Sequence, residues 1–305
     1  ETYLPTNHLI IPVDTAAARK SGALLPKDSA LTSLPFTLNK QYLIKDEVAI
    51  MDIIASNLWE RPIYFAVTCT PDKLLGLGQY TQLEGLALRL VPVRSQGRAE
   101  FGGMMGAGRV AENKMFENVT KKFKWGNFNT KKTFIDKSFM PSIVSTRFAL
   151  LRLGEHLLEQ GQPERAVKIV DTYLEAFPNT NFQYDYNTAY FLKIYADAAG
   201  LGDNNVNTYK AVPALRAKLE QFSGKAETIE KLKKQLLILA EETAIMRKFY
   251  TNPAVAMYYA SDLERIDGYH GQKGEVRAGA KDQIIRIAEQ IGEAEFTEKI
   301  KTKLK

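Results

Sequence analysis

Hydrophobic positions along the chain change their spacing twice. Residues 9–13 (Leu-Ile-Ile-Pro-Val) read as a short apolar strand. From residue 45 to residue 59, Val48, Ile50, Met51, Ile53, Ile54 and Leu58 recur close to the helical period, which predicts a helix with a wide buried face. Glu60-Arg61-Pro62 ends it, because a residue before proline is pushed out of the α region. Residues 63–69 follow (Ile-Tyr-Phe-Ala-Val-Thr-Cys), β-branched and aromatic and closed by Pro71-Asp72. A helix leading directly into a nearly all-apolar strand predicts α/β layering, with 63–67 a central strand covered on both faces. Residues 86–93 give a further strand, with Pro92 near its end or on an edge.

From about residue 112 to residue 140 no period fits. Lysines, among them Lys121, Lys122, Lys124, Lys131 and Lys132, alternate with Phe123, Trp125, Phe128 and Phe134. This reads as a basic-aromatic connection. Beyond it the chain is helical. Pro141 suits a first helical turn, and the helix it opens runs to Gly161. Pro163 starts a second helix that stops before Pro178. Residues 187–222 form another helical pair, with a longer loop around 200–207. Amphipathic patterns at 227–250 and 282–304 predict two helices of roughly six turns each. The expected plan is an α+β or α/β domain over 1–111, a connection over 112–140 and an all-α, helical-hairpin domain over 141–305.

Composition agrees with two domains. The chain has 305 residues, 45% apolar and 25% charged, an ordinary globular balance that excludes a mainly disordered chain. No run approaches the roughly 18 uninterrupted apolar residues of a membrane span. With 41 basic and 35 acidic residues the formal charge is 41 − 35 = +6, only mildly basic. Cys69 is the single cysteine, which excludes an intramolecular disulfide and a cysteine cage for metal. It reads as a buried core thiol at the end of an apolar strand. The chain starts at Glu1 with no initiator Met and no apolar leader, so a piece of a longer protein is expected.

Few motifs survive scrutiny. Leu150, Leu153-Gly154, Leu157, Gly161, Ala166, Val170, Tyr173 and Pro178 fall in the register of a tetratricopeptide repeat, although Leu150 and Val170 replace two aromatics. Helix-packing chemistry alone explains part of that match. The densest chemistry lies at residues 57–65, where Asn57, Trp59, Arg61 and Tyr64 crowd a helix-to-strand corner. Arg61 could hold a phosphate or carboxylate as a two-pronged fork, with Trp59 or Tyr64 stacking a sugar or base. The simpler reading is a structural corner in which Arg61 pairs with Asp52, Glu60 or, by preference, Glu84, and Trp59 packs in the core. Residues 106–111 match G-x-G-x-x-A, but neither a preceding strand nor a suitably placed acidic residue supports phosphate binding. His8, His156 and His270 are scattered, and no catalytic or metal constellation emerges. Asn118-Val-Thr120 is a formal glycosylation sequon, meaningful only in a eukaryotic secretory protein. The lysine-aromatic stretch could meet an anionic partner such as nucleic acid or lipid headgroups, or, more simply, be a solvated crossing segment anchored by its aromatics. No cofactor and no nucleic acid are expected.

Two stretches carry a resemblance. Lys45-Asp46-Glu47 through Ala66, with its Ile53-Ile54-Ala55 and Trp59-Glu60-Arg61-Pro62-Ile63-Tyr64-Phe65 runs, is the first. Gly76-Leu77 and Tyr80 through Glu84-Gly85-Leu86-Ala87, Arg89, Leu90, Val91 and Pro92 is the second. Together they resemble the C-terminal soluble region of a bacterial family of multi-pass membrane proteins related to protein O-mannosyltransferases. The likeness covers roughly residues 1–180. It implies a parent protein whose transmembrane portion transfers a sugar from a lipid-linked donor, with this chain as its periplasmic appendage. The transferase's acidic catalytic residue belongs to the membrane portion, so no position here inherits it. The resemblance therefore implies a non-catalytic domain that recognises or positions an acceptor protein or glycan. Two other readings stay open. One is a helical-repeat scaffold for an unrelated protein partner, and the other is a small enzyme using the 57–64 corner with Glu84 and Arg89.

Overall fold

The computed structural model describes residues 2–3, 6–40, 42–57, 59–95, 108–201, 213–270, 276–277 and 279–305. Leu58, Gly106 and residues 202–207, on which the sequence patterns draw, lie outside these. The chain has an α+β N-terminal part and a helical C-terminal part. It forms two compact units, residues 1–121 with 136–152, and residues 122–135 with 153–305. The division differs from the three-part plan because the middle stretch is shared. A helix missed by periodicity, at 112–117, folds into the first unit, and the aromatics of 123–128 pack within the second.

In the first unit, β1 (Thr2–Tyr3) pairs with β4 (Tyr42–Leu43), and β2 (His8–Pro12) with β3 (Ser33–Thr37), all antiparallel. Helix α1 (Thr15–Lys20) lies between β2 and β3 in sequence, and the Asp14 carboxylate caps it by accepting from the Ala17 amide at 2.9 Å. Helix α2 (Lys45–Asn57) matches its predicted span. Glu47 in its first turn reaches back to accept from the Ile44 amide at 3.1 Å. The main sheet follows: β5 (Tyr64–Ala66), β6 (Thr81–Leu83), β7 (Ala87–Leu90) and β8 (Arg109–Val110), in the order β5-β7-β6-β8. The first two neighbour pairs are antiparallel, and β6 with β8 is parallel. Helix α3 (Glu112–Glu117) then buries Met115.

Two expectations for this unit need correction. The strand at 63–67 is not central. It is a three-residue edge strand in which Phe65 is buried while Tyr64 and Ala66 face solvent. The centre is held by β6 and β7, whose Leu83, Leu88 and Leu90 are buried. Nor does α2 bury a wide face, since only Glu47 and Ile54 are buried and Ile53 is 52% exposed. At about 100° per residue, Val48 and Ile53 sit roughly 90° and 130° from the centre of the stripe through Glu47, Met51 and Ile54.

In the second unit, punctuation by proline and glycine predicted the helices well. Helix α4 (Met140–Glu159) and α5 (Pro163–Ala176) are joined through Gly161 at φ +68°, and the unit boundary falls inside α4 after Arg152. Leu153, Leu157, Ala166 and Val170 are all fully buried. A β-carbon added to Gly154 would stand 2.7 Å from the Cδ1 tip of the Ile194 side chain, which would have to move aside. Helices α6 (Tyr186–Ala198), α7 (Pro213–Glu220) and α8 (Lys225–Tyr250) continue the array, and the Tyr173 and Phe191 rings stack between α5 and α6. The short α9 (Pro253–Ala256) and α10 (Ala260–Asp267) precede a two-stranded ladder, β9 (Tyr269–His270) with β10 (Val276–Arg277). The single helix expected at 282–304 is two, α11 (Ala280–Ile291) and α12 (Ala294–Lys303). Gly292, at φ +80°, terminates the first, a left-handed cap that the continuous apolar pattern concealed.

Gly108, the second glycine of the G-x-G-x-x-A match, has a structural reason to be glycine. Its φ is +76°, and a β-carbon would fall 2.2 Å from the Thr81 carbonyl oxygen, just where β8 meets β6. Gly108→Ala should therefore destabilise the first unit by about 2–4 kcal/mol, combining backbone strain with overpacking. Urea unfolding followed by tryptophan fluorescence measures it. A loss within about 0.5 kcal/mol, the range of neutral surface changes, would show that this approach is not tight.

Candidate functional site

The main sheet is two-faced by register. Tyr64 lies opposite Arg89, Arg89 opposite Gln82, and Gln82 beside Arg109. Because side chains alternate along each strand, these residues share one face as a polar row across all four strands. The next row, Phe65, Leu88, Leu83 and Val110, is apolar and turns to the other face. Most of the polar row is nevertheless buried, with Arg89 only 5% exposed. Its cover is the loop after α1. The Ser21 carbonyl accepts from Arg89, and the Asp28 carboxylate grips the Arg109 guanidinium with bonds of 2.8 and 2.7 Å.

Glu84, in the turn between β6 and β7, completes the row and is 8% exposed. It accepts from the Tyr64 hydroxyl at 2.9 Å, the Gln82 amide at 2.7 Å and the Lys114 ammonium, and it stands 3.8 Å from the Arg89 guanidinium. The Arg89 guanidinium also lies over the Tyr64 ring, 5.7 Å from its centre. Burial works against the Glu84 carboxylate, but the bonds from Lys114, Tyr64 and Gln82 outweigh it and hold the carboxyl below its usual range. Burial likewise disfavours the Lys114 ammonium, yet Glu84 raises its pKa above the ordinary lysine value. The Arg109 hydrogen bonds hold Asp28 low.

The structure thus brings Tyr64, Glu84 and Arg89 together and separates them from the rest of the corner. Arg61 does not meet Glu84. It is exposed in the loop before β5, and it makes no ion pair or hydrogen bond among the described residues. The expected structural pairing of Arg61 is therefore corrected, because the carboxylate is already taken by Arg89 and Lys114. Trp59 packs in the core at 6% exposure and donates from its indole to the Pro12 carbonyl at 2.8 Å. It does so at φ +77°, a left-handed backbone that a bulky residue rarely adopts. Asn57 turns back on its own helix, bonding the Ile53 carbonyl at 2.6 Å. Arg61, Trp59, Pro62, Ile63, Ser21 and Ile54 are among the residues lining a small hollow of about 10 Å³. That is room for one water at most, and no sugar ring enters it.

Elsewhere the expected residues fall as follows. Lys121, Lys122, Lys124, Lys131 and Lys132 are all exposed. Cys69 is exposed rather than buried, because β5 ends at Ala66 and the chain has left the sheet by then. His8 bonds Thr37 at the surface, at 3.1 Å. Among the described residues no group of three or more His, Cys, Asp or Glu side chains could hold a metal ion. Sequence reasoning missed Gln82, Arg109, Asp28 and Lys114. The first two lie in β6 and β8, strands of three and two residues that are too short to show a period. For Asp28 and Lys114 no local pattern marks them, because their partners are 81 and 30 residues away.

Removing Glu84 leaves the buried Arg89 guanidinium without its carboxylate, so Glu84→Ala should cost about 3–5 kcal/mol, whereas Arg61→Ala should stay within about 0.5 kcal/mol. Because the folded pKa of Glu84 is depressed, its contribution is complete above the ordinary carboxylate pKa near 4.3 and is lost as pH falls through the folded value. The stability gap between the native chain and Glu84→Gln should accordingly narrow between pH 7 and about pH 3. Urea midpoints at the two pH values test this, and an unchanged gap would show that the charge of Glu84 contributes nothing.

Residues 1–110 match the family model of the TMEM260-associated domain 2. Neither the comparison with curated proteins nor that with solved structures found a match. The matched segment covers the whole main sheet and both stretches quoted above for their resemblance. The N-terminal part of the chain is thereby linked to a glycosyltransferase-like membrane protein.

Proposed function

We propose that this chain is the non-catalytic, extracytoplasmic part of a glycosyltransferase-like membrane protein, and that it positions an acceptor polypeptide for the membrane-embedded transferase. The observation that carries the reading is the family match over 1–110, which spans most of the first compact unit. Its partner is then the transmembrane portion of the same polypeptide, on the periplasmic side of a bacterial inner membrane. Within the unit the charged groups of the polar row are engaged with one another. Arg61 is exposed beside the apolar hollow with no ion pair or hydrogen bond among the described residues, and a guanidinium fork suits a peptide carboxylate or carbonyl.

A second reading draws on the register of α4 and α5. A paired-helix array with fully buried Leu153, Leu157, Ala166 and Val170 supports a tetratricopeptide-like surface for a protein partner.

A Ser/Thr-rich acceptor peptide, with and without mannose, titrated into the isotopically labelled chain distinguishes these. Shifts around Trp59, Arg61 and Ile63, with about tenfold weaker binding by Arg61→Ala, are expected, since a charged contact contributes about 1.5–3 kcal/mol. Shifts confined to the helices would move the acceptor site to the second unit, and no shift at all would end the acceptor reading.

A further inference from the structure

The geometry points to residues 122–135 as a docking surface for an anionic lipid membrane. Between Asn118 and Ile135 there are five lysines and no Asp or Glu. Aromatic rings fix the segment to the second unit. Trp125 meets Phe177 edge-on at 5.9 Å, Phe123 meets Trp125 at 5.6 Å, and Phe128 meets Phe182 at 5.0 Å. Asn181 then pins the backbone of the tip, donating to the Phe128 and Lys131 carbonyls and accepting from the Thr133 amide at 2.6 Å. With the backbone held from beneath, the side chains of Lys124, Lys131 and Lys132 are turned into solvent. The nearby Glu175 is engaged by Asn129 at 3.2 Å rather than by a lysine.

Phe134 decides what the lysines meet. It is 87% exposed, while Phe123, Trp125 and Phe128 are half-buried and engaged in ring contacts. A surface for single-stranded nucleic acid presents several rings on which successive bases stack. Here the rings that could do so are spent on anchoring. One exposed phenyl ring beside exposed lysines matches instead the lipid–water interface, where the ring enters the acyl boundary and the ammonium groups meet headgroup phosphates. This surface belongs to the second unit and does not depend on the acceptor reading of Arg61.

Sedimentation of the 305-residue chain with vesicles tests it, using phosphatidylcholine alone against phosphatidylcholine with phosphatidylglycerol. Binding is expected only to the anionic vesicles, and it should fall steeply as salt rises past about 0.1 M, where the Debye length is near 10 Å. Each lysine replaced by glutamine should weaken it about fivefold, so Lys131→Gln with Lys132→Gln should cost about twenty-five-fold. Phe134→Ser should weaken the binding that persists at high salt. These positions are exposed, so unchanged melting curves will show that the variants fold. Equal binding to both vesicles, binding to neither, indifference to the lysine pair, or tighter binding to a single-stranded oligonucleotide would each overturn the proposal. None of these results bears on Arg61-dependent peptide binding.

Discussion

The buried ion pair of Glu84 and Arg89 organises the first unit. A guanidinium under a sheet is expensive to desolvate, and Glu84, Ser21 and Tyr64 offset part of that cost, although the Arg89 Nε is buried without a hydrogen-bond partner. Glu84 supplies the opposite charge, Ser21 a carbonyl and Tyr64 a ring face. Lys114 and Tyr64 in turn keep Glu84 ionised. The consequence for architecture is that the sheet has no free apolar face for a helix on its polar side. It takes a loop instead, and that loop is fastened by Asp28 to Arg109. The layering is thus sheet under loop where a sequence pattern of helix followed by strand suggested sheet under helix.

The second unit rests on different physics. Its helices bury apolar stripes, with Leu232, Leu236 and Leu239 of α8 and Ile284 and Ala288 of α11 inaccessible to solvent. Polar links between helices add to this and specify pairing. The Tyr195 hydroxyl of α6 donates to Asp171 of α5, which also receives Lys231 of α8 at 3.0 Å. Burial first, and Asp171 second, push the Tyr195 phenol far above its usual range, so it stays a donor under all ordinary conditions.

The contrast explains what the sequence revealed. Helices α4 and α5 were legible because proline opens each of them and glycine joins them, and those are local rules. The break at Gly292 was missed because the apolar period runs on through it. In the first unit, short apolar runs marked the strands but not their neighbours, so an edge strand was taken for a central one. Tyr64, Glu84 and Arg89 were visible as unusual residues. Their grouping was not, because register across β5, β7 and β6 sets it and no single segment encodes register. The pairing of Arg61 with Glu84 failed for the same reason, because register gives that carboxylate to Arg89.

The Asp28–Arg109 clasp ties together residues 81 positions apart, and the β6–β8 pair it secures is the parallel one. Long loops must close before such contacts are rewarded, so this seam belongs to the late stages of folding. While the chain is being made, the three antiparallel strands can exist before residue 109 has been added. Until then Arg89 and Glu84 must wait beneath an incomplete cover, with Lys114 still to come. β8 and α3, made after the other strands, therefore supply the cations that neutralise what the earlier elements buried.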